Sequence, residues 1–119
     1  MPWEFNNSEP IYKQLVEKLK FMIICGELQI GSKLASVREL AENAGVNPNT
    51  MQRALAELER QGLVYAERTN GRFVTEDKEH IKTLRNEYAT EKIQEVTGAL
   101  LQMGYSKSEL IELVNHSME

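Results

Sequence analysis

Residues 45–64 read GVNPNTMQRALAELERQGLV, and the polar start of this stretch decides how the surrounding chain folds. Asn47 suits the N-cap of a helix, and Pro48 suits its first position, where a missing N–H costs little. Apolar residues then recur at helical spacing, which predicts a helix with one buried face. The side chains predicted to point inward are Met51, Ala54, Leu55 and Leu58.

A shorter helix is predicted just before this one. Ser36 and Glu39 have the spacing of a capping box, in which a hydroxyl caps the helix and a glutamate three residues later bonds back to the cap. The helix should continue to about Ala44, where Gly45 stops it. Two helices joined by a tight, glycine-containing turn form the helix-turn-helix pattern.

An amphipathic helix is predicted at the front of the chain, with Pro10 in its first turn and Gly26 at its end. Residues 28–34, which include a Gly-Ser turn signal, are predicted to form a short strand or an extended link. The inward stripe of the helix is predicted to consist of Ile11, Tyr12, Leu15, Val16, Leu19, Met22 and Ile23.

A β-hairpin is predicted after the helix-turn-helix. Residues 63–67 and 72–75 have strand-forming composition, and Asn70-Gly71 between them tolerates φ > 0. Helix, short strand, helix, helix and hairpin is the order of a winged helix. The predicted fold is mainly α with a small β-hairpin, a winged helix-turn-helix domain over residues 1–75 that is followed by two C-terminal helices.

The two helices of the tail, residues 76–119, are separated by a glycine. A long helix is predicted from about Asp77 to Gly104. Ser106 and Glu109 form a second capping box, which predicts a short amphipathic last helix. The acidic charge lies here: the tail carries five basic and nine acidic residues, whereas residues 1–75 carry nine of each.

Composition excludes several classes of protein. Cys25 is the only cysteine, so no disulfide can form within the chain. The longest apolar run, residues 21–25, is far shorter than the ~20 residues that span a bilayer, and no secretory leader is visible. We therefore expect a cytoplasmic protein without a membrane partner.

The outward face of the 48–60 helix suggests double-stranded DNA as a partner. Asn49 and Gln52 can pair with adenine in the major groove, and Arg53 with guanine. Thr50 lies in the first turn, where a hydroxyl and free N–H groups can hold a phosphate. The residues predicted to contact DNA are Ser36, Arg38, Asn49, Thr50, Gln52, Arg53, Arg68, Gly71 and Arg72.

Two other interpretations fit parts of this pattern. Capping alone explains Asn47 and Pro48, and an outward amide-rich face can simply be solvated. A winged helix with an acidic helical arm could also serve as a protein-interaction adaptor, which the net charge of −4 favours. The arginines that flank the hairpin favour DNA instead. No constellation of residues supports an enzyme.

From Pro10 to Val74 the chain resembles the DNA-binding domain of the GntR family of bacterial transcription regulators. The resemblance implies a winged helix with Thr50 and its neighbours in the major groove. The matching segments are Pro10-Ile11-Tyr12-Lys13-Gln14-Leu15, Gly26-Glu27-Leu28, Gly31-Ser32-Lys33-Leu34, Ser36-Val37-Arg38-Glu39-Leu40-Ala41, Gly45-Val46-Asn47, Thr50, Ala54-Leu55, Leu58, Gly62-Leu63-Val64 and Gly71-Arg72-Phe73-Val74.

Two positions depart from the family pattern. Ala35 stands where a proline is common, and Asn47-Pro48 stands where many members have Ser-Arg. The arginine that would meet a phosphate or guanine there is missing, so more of the contact falls to Arg53. With its short tail the chain is similar to the YtrA-type subfamily, whose members are small dimeric repressors often associated with ABC-transporter operons.

The tail is too short to enclose a ligand cavity by itself, so we expect no cofactor, and the sequence favours no small-molecule effector without deciding whether one exists. His80 and His116 lie 36 residues apart on different helices, without a cysteine or carboxylate cluster at metal spacing, which argues against a metal site. Apolar residues not needed for the winged domain are predicted to form a homodimer interface. They are Phe21, Ile24, Ile81, Leu84, Tyr88, Val96, Leu100, Leu110 and Leu113.

Overall fold

The structure, a computed structural model, describes residues 3–119 and confirms the predicted fold class. Within these residues the chain forms five α-helices and one two-stranded antiparallel sheet. The elements in order are α1 (Ile11–Ile24), α2 (Val37–Ala44), α3 (Pro48–Arg60), β1 (Val64–Glu67), β2 (Gly71–Val74), α4 (Lys78–Gln102) and α5 (Lys107–Ser117).

The turn between α2 and α3 forms as predicted. Ser36 caps α2 in a complete capping box with Glu39, and its Oγ accepts the Glu39 N–H at 3.1 Å. Gly45 ends α2 with φ +74°, a left-handed conformation that costs a glycine nothing. Asn47 then caps α3, and Pro48 occupies the first helical position. The helix-turn-helix is therefore fixed by local capping at both ends of the turn.

The start of α1 differs from the prediction by one residue. Pro10 is the N-cap, with ψ 141°, and lies before the first helical position. Its carbonyl accepts the N–H groups of Lys13 and Gln14, so it still begins the helix. Ile11 is exposed, and Ile24, which was placed outside the inward stripe, is buried.

One hydrophobic core holds α1, α2, α3 and the sheet together. Its members come from every one of these elements and from the first turn of α4. The largest fully buried side chains are Leu15, Leu19, Ile23, Met51, Leu55, Leu58, Leu63, Val74 and Ile81. The burial of Met51, Ala54, Leu55 and Leu58 confirms the predicted inner face of α3.

The predicted hairpin forms, and Gly71 is the residue of its Asn70-Gly71 signal that adopts positive φ. Glu67 pairs with Gly71, so the loop has three residues, Arg68 to Asn70. The Asn70 N–H donates to the Glu67 carbonyl at 3.3 Å, and Asn70 itself has negative φ. Gly71, with φ +100°, supplies the left-handed residue that follows the turn in three-residue hairpin loops.

A third extended segment borders the hairpin. Lys33 forms an antiparallel bridge with Phe73. The Leu34 N–H donates to the Arg72 carbonyl at 2.8 Å, and the Val74 N–H donates to the Ser32 carbonyl at 2.9 Å. The extended link predicted over residues 28–34 therefore pairs with β2 at its end.

The described chain divides into two compact units, with residues up to Lys82 in the first and Thr83–Glu119 in the second. The first turn of α4 belongs to the winged-helix unit: Ile81 is buried, and His80 Nε2 lies 2.9 Å from the Gln61 carbonyl oxygen. The winged-helix unit thus extends beyond residue 75.

The second unit, called the tail below, contains the rest of α4 together with α5. Ser106 and Glu109 form the predicted capping box at the start of α5. Leu110 is buried in this unit, while most of its other apolar side chains are exposed. Within residues 3–119, no helix is long and apolar enough to cross a membrane.

Candidate nucleic-acid interface

The outward face of α3 carries the side chains expected to reach DNA bases. Asn49, Gln52, Arg53, Ala56 and Arg60 are all exposed, opposite the buried face. Because small Ala56 lies between longer polar side chains, a nucleic-acid edge can approach the helix closely there. The structure thus brings the predicted base-reading residues onto one surface.

The first turn of α3 is arranged to bind an anion. The Asn47 side chain accepts the Asn49 N–H at 2.7 Å, which fixes the start of the helix. Thr50 lies in this turn and is half-buried. Pro48 has no N–H and the Asn49 N–H is bonded to Asn47, so this turn offers a phosphate the positive end of the helix dipole together with the Thr50 hydroxyl and N–H.

Arg53 is held by an aromatic side chain from another helix. Its guanidinium carbon lies 3.6 Å from the centre of the Tyr12 ring on α1. Stacking of this kind leaves the N–H groups at the guanidinium edge available as donors. Arg53 is therefore pre-oriented by α1 and is not a freely moving side chain.

The start of α2 supplies two further candidates. Ser36 uses its hydroxyl in the capping box, where Oγ lies 3.1 Å from both the Glu39 N–H nitrogen and Glu39 Oε1. Arg38 lies in the first turn and is exposed. The Ser36 hydroxyl is largely committed to the helix cap, whereas the Arg38 side chain is accessible.

Two acidic residues on α3 are neutralised by arginines. Glu57 accepts from Arg60 Nε at 2.8 Å and from the Gln61 side chain at 2.7 Å. These hydrogen bonds, the one from Arg60 above all, lower the pKa of Glu57 from its usual 4.5 to about 2. Glu59 is paired with Arg72. The C-terminal half of α3 therefore adds little repulsion toward DNA.

The hairpin is the wing of the fold, and it places its two arginines differently. Arg68 lies in the exposed loop, as expected of a DNA contact. Arg72 was expected there too, but its Nε donates to Glu59 Oε1 at 2.6 Å and its side chain is mostly buried. In this structure Arg72 is therefore paired with an acid of α3, whereas Arg68 lies in the exposed loop.

Lys33 is a cation near the wing that the sequence reasoning missed. Its Cε lies 3.2 Å from the position that a Cβ on Gly71 would occupy. The sequence indicates only that residues 28–34 are extended. The position of Lys33 beside the wing is set by its tertiary pairing with Phe73, which the sequence does not reveal.

Residues 11–74, which hold every element of this surface, match the gntR family of bacterial regulatory proteins. The chain belongs to the GntR family. The match begins with α1 and ends with β2, so it spans the whole winged helix and stops before the tail.

Relatives of this GntR protein are named as transcriptional regulators. YhcF of Bacillus subtilis (strain 168), an uncharacterized HTH-type transcriptional regulator, is 36% identical over 92% of this chain and 90% of its own length. The HTH-type transcriptional repressor YtrA of the same organism is 41% identical over 60% of this chain and 55% of its own length. The similarity to YhcF extends into the tail.

Two similar solved structures are a transcriptional regulator and a DNA-binding domain bound to its operator. A GntR family transcriptional regulator from Listeria monocytogenes has a TM-score of 0.85 at 40% identity, covering 94% of this chain and 98% of that one. The DNA-binding domain of AraR, solved in complex with an operator, has a TM-score of 0.56 at 26% identity, covering 63% of this chain and 95% of that one. The chain is a DNA-binding transcriptional regulator with a GntR winged helix.

Proposed function

We propose that this regulator binds a pseudo-palindromic operator as a homodimer and acts as a repressor. The observation that carries the DNA-reading part is the outward face of α3, where Asn49 and Gln52 are exposed beside an N-terminal turn fixed by Asn47. Amide side chains pair bidentately with adenine, and a helix fits the major groove. Repression is supported by the name of the relative YtrA.

The proposed contacts are of two kinds, those that read base edges and those that bind the DNA backbone. Asn49 and Gln52 read base edges, and Arg53, oriented by Tyr12, reaches a guanine or a phosphate. The remaining contacts go to the DNA backbone, where they position the protein without reading sequence. These backbone contacts are Ser36, Arg38 and Thr50 at the helix starts, and Arg68 and Gly71 on the wing.

The tail is the proposed dimerisation element, because it leaves large apolar side chains exposed. Val96 is 58% exposed, Leu113 is 44% exposed, and Leu100 is half-buried. Contiguous apolar surface of this kind marks an interface between chains. A two-fold dimer would cover it and would relate two copies of α3 by symmetry.

Burial revises the list of dimer-interface residues. Ile24, Ile81 and Leu110 were expected to lie at the dimer interface. Each is buried within its own chain, so little of its side-chain surface is accessible to a partner chain. Exposed Ile93 and Leu101 on α4 take their place. Phe21, Leu84, Tyr88, Val96, Leu100 and Leu113 stay in the proposal.

No cofactor enters this proposal. Bound to an operator, a dimer would compete with RNA polymerase for the promoter, which is the simplest route to repression. We place this activity in the cytoplasm because that is where a bacterial operator lies.

DNA binding is tested with duplexes from the promoter of the chain's own gene cluster. We expect the intact chain to bind one of them in preference to a scrambled duplex. Loss of a bidentate contact in Gln52→Ala should weaken specific binding by about 1–3 kcal/mol. Thr90→Ala, on the polar surface of α4, is the control. Equal affinity for every duplex would refute sequence-specific recognition, and no binding at all would favour the adaptor function.

Dimerisation is tested by placing a charge on the exposed apolar surface. Val96→Glu should convert a dimer to a monomer in light scattering at micromolar concentration, since a buried carboxylate without a partner is costly. Thr90→Glu adds the same charge to the polar surface of α4 and should stay dimeric. An intact chain that is monomeric at this concentration would contradict the proposal.

A further inference from the structure

The ion pair between Arg72 and Glu59 joins the wing to the recognition helix. Arg72 lies on β2 and Glu59 lies near the end of α3, and Arg72 Nε is 2.6 Å from Glu59 Oε1. The two side chains are only 22% and 33% exposed. A charge-assisted hydrogen bond that is partly shielded from water holds its geometry better than an exposed pair does.

The pairing removes Arg72 from the charge that the wing offers to DNA. Glu59 balances the charge of the guanidinium through its Nε, so a phosphate that bound the remaining N–H groups would have a carboxylate beside it. Lys33 and Arg68 are the other cations at the wing, and in residues 3–119 neither forms an ion pair. Glu67, the acid at the start of the loop, accepts a hydrogen bond from the Asn70 amide.

Lys33 is held beside the wing by its backbone. Its bridge with Phe73 fixes the main chain, and its Cε lies 3.2 Å from where a Gly71 Cβ would be. Because Gly71 has no side chain, the Lys33 stem can lie across the base of the loop. The ammonium nitrogen lies 4.0 Å from the same Cβ position, so Lys33 carries its charge beside Gly71.

We propose that Arg72 is a positioning residue, which fixes the wing against the recognition helix through Glu59, and that Lys33 supplies a further contact to a DNA phosphate beside those of Arg68 and Gly71. This inference rests on the proposed DNA-binding function. Arg72 acts by setting the angle of the wing, so it should matter for affinity without releasing a counterion from DNA. Lys33 should behave in the opposite way, because a phosphate contact releases one.

Salt dependence of DNA binding separates the two roles. Lys33→Gln should reduce the slope of log affinity against log salt by about 1 and weaken binding to all duplexes alike. Lys82→Gln makes the same charge change at an exposed position of α4 and should leave the slope as it is. The double variant Glu59→Gln with Arg72→Gln keeps the net charge and should also keep the wild-type slope.

Exchange of the two charges tests the positioning role. Arg72→Glu and Glu59→Arg should each weaken operator binding, and the variant carrying both should recover affinity, with a coupling of about 2- to 100-fold. A double variant that binds no better than Arg72→Glu alone would overturn the positioning role. A slope that falls by about 1 when both residues become glutamine would make Arg72 a phosphate ligand and overturn it as well.

The outcome for Lys33 is independent of these variants. A chain that binds its operator, loses affinity in Gln52→Ala and keeps its salt slope in Lys33→Gln would refute the Lys33 contact while preserving the proposed function. A wild-type chain that binds no DNA would refute the proposed function itself. Thermal unfolding of every variant, monitored by circular dichroism, identifies any change that disrupts the fold.

Discussion

The winged-helix unit buries its large apolar side chains, whereas the tail leaves most of its apolar side chains exposed. In the first, Leu15, Met51 and Leu63 are fully buried among residues of several elements. In the second, Leu110 is buried, but Ile93, Val96, Leu101, Met103 and Ile111 are more than half exposed. The winged helix completes its core within one chain, whereas the exposed apolar side chains of the tail are those that the proposed dimer would cover. The two regions should therefore respond differently to the same kind of substitution.

The largest expected effect is at the centre of the winged-helix core. Leu55→Ala should lower the free energy of unfolding by about 2–5 kcal/mol, because it removes a buried side chain and leaves a cavity. The loss should be the same at every protein concentration, since the contacts lie within one chain. Urea denaturation at two protein concentrations measures both quantities.

The matched change in the tail is Leu101→Ala, where the side chain is 52% exposed. In a lone chain the effect should stay within about 0.5 kcal/mol. In a dimer the variant should reduce the dependence of stability on protein concentration, because linked association stabilises the folded state. A loss that is large and independent of concentration would show that the tail closes on itself.

Alanine substitutions at two glycines, one in each region, should change the stability of the chain in opposite directions. Gly71 has φ +100° and its Cβ would meet Lys33 Cε at 3.2 Å, so Gly71→Ala should cost about 1–3 kcal/mol. Gly98 is in the middle of α4 with nothing within 4 Å of a Cβ, so Gly98→Ala should stabilise the chain by about 0.5–1 kcal/mol. Thermal unfolding that moves both variants in the same direction would contradict this assignment.

The smallest expected effect is a change in how folding stability depends on pH in acid. The pKa of Glu57 is lowered to about 2 in the folded winged helix by Arg60 and Gln61, so its carboxylate stabilises the fold above pH 4.5 and loses that role as pH falls toward 2. Glu57→Gln should therefore make stability less sensitive to pH across this window. Urea denaturation at a series of pH values measures it, with Glu91→Gln on α4 as the control. An unchanged pH profile would count against the Glu57–Arg60 pair.

The sequence predicted best what depends on neighbouring residues. Ser36 with Glu39, and Ser106 with Glu109, are three residues apart, so their capping geometry is set within one helical turn. The order of elements followed from these caps and from the apolar spacing of α3. The local signal was less accurate for Asn70, because the loop length depends on which residues of the two strands pair.

Contacts between distant segments could not be read from the sequence. Arg72 and Glu59 are 13 residues apart on different elements, and the pairing of Arg72 with an acid appears only once the hairpin packs on α3. The stacking of Arg53 on Tyr12 has the same origin. Ile24 was misplaced because a helical wheel describes one helix and gives no information about the second surface that packs on it.

The central claim is that the winged helix reads bases through α3 while the tail joins two copies, and selection from a library of random duplex DNA tests it most directly. The intact chain should enrich an inverted repeat whose half-site centres lie ~34–36 Å apart, or a multiple of that distance. A variant combining Asn49→Ala and Gln52→Ala should lose the enrichment. Recovery of a single unrepeated motif would contradict the dimer, and failure of the intact chain to enrich any sequence would contradict base reading by α3.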